Sequence, residues 1–212
     1  MIVSLSILNI EKEKRYDKIN EFMQTENNWI HFDVMDGNFV ENKTFRYEVV
    51  KEINQYCHLF KDVHLMTYNP QQYLNQYKEA GTDSITFHYE SIEEENIIPL
   101  IKKIQNLNMK AGISIKPSTN IEKIKEYLPI LDLVLVMSVE PGKGGQKFIE
   151  SSLEKIKWLK ENKGNYNYLI SVDGGINDVT SKLVKQAGAD IIVVGTYLTK
   201  DIITKEKVLN LN

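Results

Sequence analysis

Read for apolar and polar positions, the chain alternates between short, nearly all-apolar runs and longer mixed stretches. The runs are 2–8 (IVSLSIL), 29–34 (WIHFDV), 62–66 (DVHLM), 84–88 (SITFH), 111–115 (AGISI), 131–137 (LDLVLVM), 167–172 (NYLISV) and 190–195 (DIIVVG). Each has the length of a strand and most are rich in β-branched residues. The intervening stretches carry apolar residues at helical spacing: EKEKRYDKINEFMQ, FRYEVVKEINQY, PQQYLNQYKEA, IEEENIIPLIKKIQNL, NIEKIKEYL, ESSLEKIKWLKEN, NDVTSKLVKQAG and the tail KDIITKEKVLN. Pro70 suits a first helical position, Asn120 and Asn177 suit N-caps, and Gly81 and Gly188 suit the residue just past a helix.

This makes eight strand–helix units of about 26 residues each. Strands apolar on both faces belong to parallel sheets covered by helices, and parallel pairs need a crossover of this kind. A doubly wound sheet and a closed barrel both satisfy the pattern; eight units favour a (β/α)8 TIM barrel. No Pro/Gly/Ser-rich linker breaks the chain, so residues 1–212 are expected to form a single barrel domain.

Charge and composition narrow the class. The 26 basic and 29 acidic residues balance, which argues against a nucleic-acid partner. Cys57 is the only cysteine, so neither an internal disulfide nor a Cys-rich zinc site is available. The N-terminus lacks a signal-peptide pattern, and no apolar run approaches the ~20 residues of a membrane span. The expectation is a cytoplasmic protein with no membrane partner.

In a barrel of this kind, chemistry sits at the C-terminal ends of the strands. The second run reads His31-Phe32-Asp33-Val34-Met35-Asp36-Gly37, and alternation puts His31, Asp33 and Met35 on one face. A buried carboxylate needs a partner. The third run ends in His64 and Met66, and the seventh in Asp173 followed by Gly174-Gly175. His31, Asp33, His64 and Asp173 are therefore candidate ligands for a divalent metal; Zn, Fe, Mn and Co all accept such N/O donors. Asp36 and Asp62 are expected to act as helix caps. His88 ends the fourth run, near the site but with no partner visible in the sequence. Two Gly-rich turns, Pro141-Gly142-Lys143-Gly144-Gly145-Gln146 and Asp173-Gly174-Gly175-Ile176-Asn177, together with Gly195-Thr196, suggest a cradle for a phosphorylated small molecule.

The segments HFDVMDGNFVENKTF, DVHLMTYNPQQY, SITFHYES, GISIKPST, LVLVMSVEPGKGGQKF, SVDGGIN and AGADIIVVGT, in this order, resemble the signature segments of the ribulose-phosphate 3-epimerase family, and SLSILN resembles its first strand. The resemblance spans residues 4–196. It implies a (β/α)8 barrel and interconversion of D-ribulose 5-phosphate and D-xylulose 5-phosphate, in pentose phosphate metabolism, with one divalent metal. It implies metal ligands at His31, Asp33, His64 and Asp173, with acid/base roles for Asp33 and Asp173. Substrate contacts are implied at Ser6, His31, His64, Gly142, Lys143, Gly144, Gly145, Asp173, Gly174, Gly175, Gly195 and Thr196. Met35, Met66 and Met137 resemble the family's methionines beside the reaction centre. Dimers and hexamers both occur in the family, which implies a homo-oligomer. Leu5 and Glu41 stand where the family usually has Pro, and Lys143 where it usually has Phe; none removes a ligand.

The chemistry accounts for these residue types. Inverting C3 beside the C2 carbonyl removes a proton from one face and returns one to the other, a task for two carboxylates. A metal on the C2 and C3 oxygens would stabilise the enediolate. Three other readings compete: a ketohexose-6-phosphate epimerase acting on allulose 6-phosphate, a metal-free phosphate-binding barrel doing decarboxylation or aldol chemistry, and a non-catalytic sugar-phosphate sensor. The second leaves the His-x-Asp pair and His64 unexplained. The third has no need of two opposed carboxylates.

Overall fold

The computed structural model describes residues 1–212. Eight strands close a parallel barrel in sequence order: β1 (Ile2–Ser6), β2 (Trp29–Met35), β3 (Phe60–Met66), β4 (Ser84–His88), β5 (Lys110–Ile115), β6 (Leu133–Met137), β7 (Leu169–Asp173) and β8 (Ile191–Val194), with β8 pairing back onto β1. Helices α1 (Arg15–Met23), α2 (Tyr47–Tyr56), α3 (Leu74–Glu79), α4 (Ile97–Asn106), α5 (Ser152–Glu161), α6 (Thr180–Ala187), α7 (Thr196–Thr199) and α8 (Lys205–Leu209) lie in the connections and the tail.

The core of 51 buried residues lies between sheet and helices. Outward strand residues such as Val3, Leu5, Ile30, Phe32, Leu65, Phe87 and Val172 meet helix faces such as Ile97, Leu100, Ile101 and Ile104 of α4, spaced at i, i+3, i+4 and i+7. Burying each such side chain stabilises the fold by about 1.5–3 kcal/mol. Leu5 is fully buried in this layer.

The barrel interior differs. Alternation turns Ser4, Ser6, His31, Asp33, Asp62, His64, Ser84, Thr86, His88, Ser114 and Ser171 inward, all buried. The register places inward residues beside one another: Ser6 beside His31, His31 beside Asp62, and Asp33 beside His64. Inward residues of β6, Leu133, Leu135 and Met137, form an apolar cluster with Val139, Trp29 of β2 and Ile191 of β8.

The helix signals act as expected at several ends. The Asn120 side chain accepts from Glu122 N–H, and that of Asn177 accepts from Val179 and Thr180 N–H. Gly81 and Gly188 take φ of +88° and +111°, the left-handed region open to glycine. Two stretches differ. Residues Ile121–Ile130 form a 3-10 helix, whose last turn contains Pro129 with no N–H to give. The tail KDIITKEKVLN is helical only in α8; before it the buried Ile203 donates its N–H to Glu21 Oε2 at 2.8 Å, which draws the chain out of a helix.

Candidate active site at the barrel mouth

β2, β3 and β7 end at the same face, and their inward side chains converge. One donor atom each from His31, Asp33, His64 and Asp173 lies within 4.8 Å of all the others. Asp33 is at the centre. Its Oδ1 is 3.3 Å from His31 Nε2 and 3.2 Å from His64 Nδ1, and its Oδ2 accepts from Ser6 Oγ at 3.1 Å.

Asp62 corrects the cap expectation. β3 begins at Phe60, so Asp62 is an interior strand residue facing inward, 2.9 Å from His31 Nδ1. It accepts the Nδ1 proton of His31 and leaves Nε2 turned to the cluster, buried and without a hydrogen-bond partner. Asp36 does cap, but within its own loop: Oδ1 accepts from Asn38 and Phe39 N–H and Oδ2 from Tyr68 N–H. His88, without a partner in the sequence reading, has two: His64 Nε2 at 2.9 Å and Glu90 Oε2 at 3.1 Å.

The electrostatics follow from these contacts. Burial is the largest influence on Asp33 and opposes its charge, yet His31 foremost holds it well below the usual carboxylate range. Burial also disfavours a charged His31, but Asp33 and Asp62 outweigh it and raise that imidazole well above its ordinary value. Burial drives His64 downward despite Asp33. Asp173 has no such partner; burial, then the Asp33 charge, pushes it up to about 7. At neutral pH the site thus holds one ionised carboxylate and one that readily carries a proton.

An orphaned Nε2, a central carboxylate, a second imidazole and a second carboxylate fit a divalent cation of the Zn, Fe, Mn or Co kind. Above them opens a cavity of about 290 Å³. Ser6, Asp33, Asp173 and the three methionines Met35, Met66 and Met137 form its floor; Gly142, Lys143, Gly144, Gly145, Gly174, Gly175, Gly195 and Thr196 line it as well. His31 and His64 are fully buried beneath. Gly175 has φ of +64°, and a Cβ there would fall 2.6 Å from Phe148 N, so only glycine fits. The loop after β6 is tied across the mouth: Asn42 Nδ2 donates to the Gly142 carbonyl, and Gln146 Nε2 to the carbonyls of Glu140 and Lys143. The sequence reading missed Asn9, whose Nδ2 donates to Thr196 Oγ1 at 2.9 Å, and Lys200, which lines the same cavity. Asn9 closes the SLSILN segment, and Lys200 lies in no motif. The exposed Lys143 and Glu41 leave the donor cluster intact.

Fold and site define a (β/α)8 barrel with a His2Asp2 donor set, buried but for the half-buried Asp173, under a glycine-lined mouth. Residues 2–199 match the profile of the ribulose-phosphate 3 epimerase family. A ribulose-phosphate 3-epimerase of Chlamydia muridarum is 37% identical over 217 residues, covering 99% of this chain and 93% of the relative. That of Treponema pallidum is 44% identical over 170 residues, covering 79% and 77%. The chain belongs to the ribulose-phosphate 3-epimerase family, and with it to the isomerases that act on carbohydrates. Among solved structures, a 3-hexulose-6-phosphate synthase superposes with a TM-score of 0.73 at 15% identity, covering 100% of this chain and 98% of the other. A mutant tryptophan synthase alpha-subunit from Pyrococcus furiosus gives 0.70 at 17% identity, covering 99% and 96%. At such identities the likeness is one of fold. No helix is long and apolar enough to cross a membrane.

Proposed function

We propose that this chain interconverts D-ribulose 5-phosphate and D-xylulose 5-phosphate by inverting C3, with Asp33 and Asp173 as the two acid/base groups. The observation that carries the reading is the convergence of these carboxylates, from strands 140 residues apart in sequence, with two imidazoles at one end of the barrel. A divalent cation held by His31, Asp33, His64 and Asp173 would supply Lewis-acid stabilisation of charge developing on the substrate's oxygens. The ionised Asp33 takes the C3 proton. Asp173 in its protonated form delivers one to the opposite face, leaving the roles exchanged for the reverse reaction. Ser6, bonded to Asp33 Oδ2, orients the base. The glycine turns at Gly142, Gly144, Gly145, Gly174, Gly175 and Gly195, with Thr196 and Lys143, receive the phosphate end, while Met35, Met66 and Met137 exclude water beside the reacting carbons.

The whole chain acts as one catalytic barrel under this reading. Family kinship also supports a homo-oligomer and a cytoplasmic setting; light scattering on the purified protein checks the first. Activity is tested by supplying ribulose 5-phosphate and allulose 6-phosphate in parallel, before and after chelation. Metal-dependent conversion of the pentose with far lower turnover of the hexose supports the reading. Preference for the hexose overturns the substrate, and undiminished turnover after complete metal removal overturns the role of the cation.

A further inference from the structure

Behind the four converging donors runs a second line of buried groups. His64 Nε2 lies 2.9 Å from His88 Nε2, and His88 Nδ1 lies 3.1 Å from Glu90 Oε2. Both rings are fully buried. A neutral imidazole carries one ring proton, and two rings that meet Nε2 to Nε2 at 2.9 Å hold one proton between them. Glu90 Oε1 accepts from Lys116 N–H at 2.9 Å and from Thr119 Oγ1, so this carboxylate is fixed at its far end by donors.

Counting protons along the line then decides where they sit. Asp33, His64, His88 and Glu90 are separated by three gaps, and two neutral rings bring two protons. Glu90 is a carboxylate and only accepts, so His88 donates from Nδ1 and its Nε2 is bare. His64 must then donate from Nε2. The one gap left without a proton is that between His64 Nδ1 and Asp33 Oδ1, 3.2 Å wide, which is where two ligands of the cluster face each other.

The geometry points to Glu90 and His88 as positioning residues that fix the tautomer of His64 and keep its Nδ1 lone pair free for the divalent cation. The inference rests on the metal reading of the cluster and assigns this reading an outer shell on β4 and the turn after it.

Replacing Glu90 by Gln inverts the line. The Lys116 N–H can only donate, so the new amide turns its carbonyl to Lys116 and its NH2 to His88 Nδ1. His88 then carries its proton on Nε2, against the His64 Nε2–H that a ligated His64 requires. Glu90→Gln is expected to weaken Zn²⁺ binding about 10–100-fold, the usual effect of an outer-shell partner. His88→Gln can still offer a carbonyl to His64 and an NH2 to Glu90, and is expected to stay within about threefold of wild type.

The test is competition titration of the metal-free protein with Zn²⁺ against a chelator, together with long-range ¹H–¹⁵N spectra of the imidazoles in the zinc-loaded wild type. The chain has only His31, His58, His64 and His88 to assign. The expected spectrum has His88 protonated at Nδ1 and bare at Nε2. A proton on His88 Nε2 overturns the inference, as does Glu90→Gln binding Zn²⁺ like wild type, or His88→Gln losing affinity as Glu90→Gln does. Should Glu90→Gln fail to fold, the wild-type spectrum decides alone. Absence of Zn²⁺ binding by the wild type strikes the metal reading itself and takes this inference with it. Normal binding with the wrong His88 tautomer strikes this inference only.

Discussion

Lowering the pH of a metal-free sample should weaken its hold on a divalent cation by an amount that the four donors set. Asp33 is held in its ionised form and burial drives His64 toward its neutral form, so these two are not the main source of protons when the cation arrives. Asp173 and His31 are. With Asp173 at about 7, its carboxylate is roughly nine-tenths ionised at pH 8 and one-tenth at pH 6, so it alone weakens binding about tenfold between them. His31, raised well above its ordinary value by Asp33 and Asp62, must also shed its Nε2 proton and adds up to about one further decade per pH unit. The sign is fixed: protons and cation compete, so affinity rises with pH. A chelator competition between pH 6 and 8, with calorimetry in two buffers to count released protons, measures the slope. One to two protons should appear, and Asp173→Asn should remove the Asp173 share. Affinity flat within about twofold, or rising as pH falls, refutes the electrostatic account of the site.

Three further outcomes follow from particular contacts. Asp33→Asn and Asp173→Asn should each slow net epimerisation by about 10²–10⁴-fold; where metal content is retained, each should still exchange the C3 proton of one epimer with solvent deuterium, with opposite preferences. Near-normal turnover in either, metal intact, refutes the two-base assignment. Gly175→Ala should raise KM more than tenfold, because its Cβ meets the Phe148 backbone, whereas Gly145→Ala, with nothing nearer than Thr196 Oγ1 at 3.9 Å, should cost only about 1–2 kcal/mol of backbone strain; steady-state kinetics and melting curves compare the two. Phe87→Ala, in the fully buried sheet–helix layer, should lose about 3–5 kcal/mol in urea unfolding.

Much of this was legible because barrel strands speak plainly in sequence. Runs such as LVLVM and IIVV are apolar on both faces only where both are covered, and the period of two that set His31 and Asp33 on one face holds in the structure. The convergence of Asp173 with them was inferred from strand ends and family likeness; only closure of the sheet brings β7 to β2. Asp62 was misread because β3 starts two residues earlier than its apolar run, at Phe60-Lys61, and Lys61 hides the strand by burying its stem and bonding to the Leu59 carbonyl and Asp83. Glu90 was silent for another reason: its partners, His88, Lys116 and Thr119, come from two strand ends whose adjacency the linear pattern does not display.

The central claim is that Asp33 and Asp173 move protons at C3 of a ketopentose phosphate. The measurement that meets it most directly is turnover of ribulose 5-phosphate by the zinc-loaded protein in deuterium oxide, with the product read by NMR and mass spectrometry. The account predicts xylulose 5-phosphate carrying solvent deuterium at C3, because the proton taken by one carboxylate is not the one delivered by the other. Xylulose 5-phosphate that retains the original C3 hydrogen, or no product from a protein that holds its metal, contradicts it.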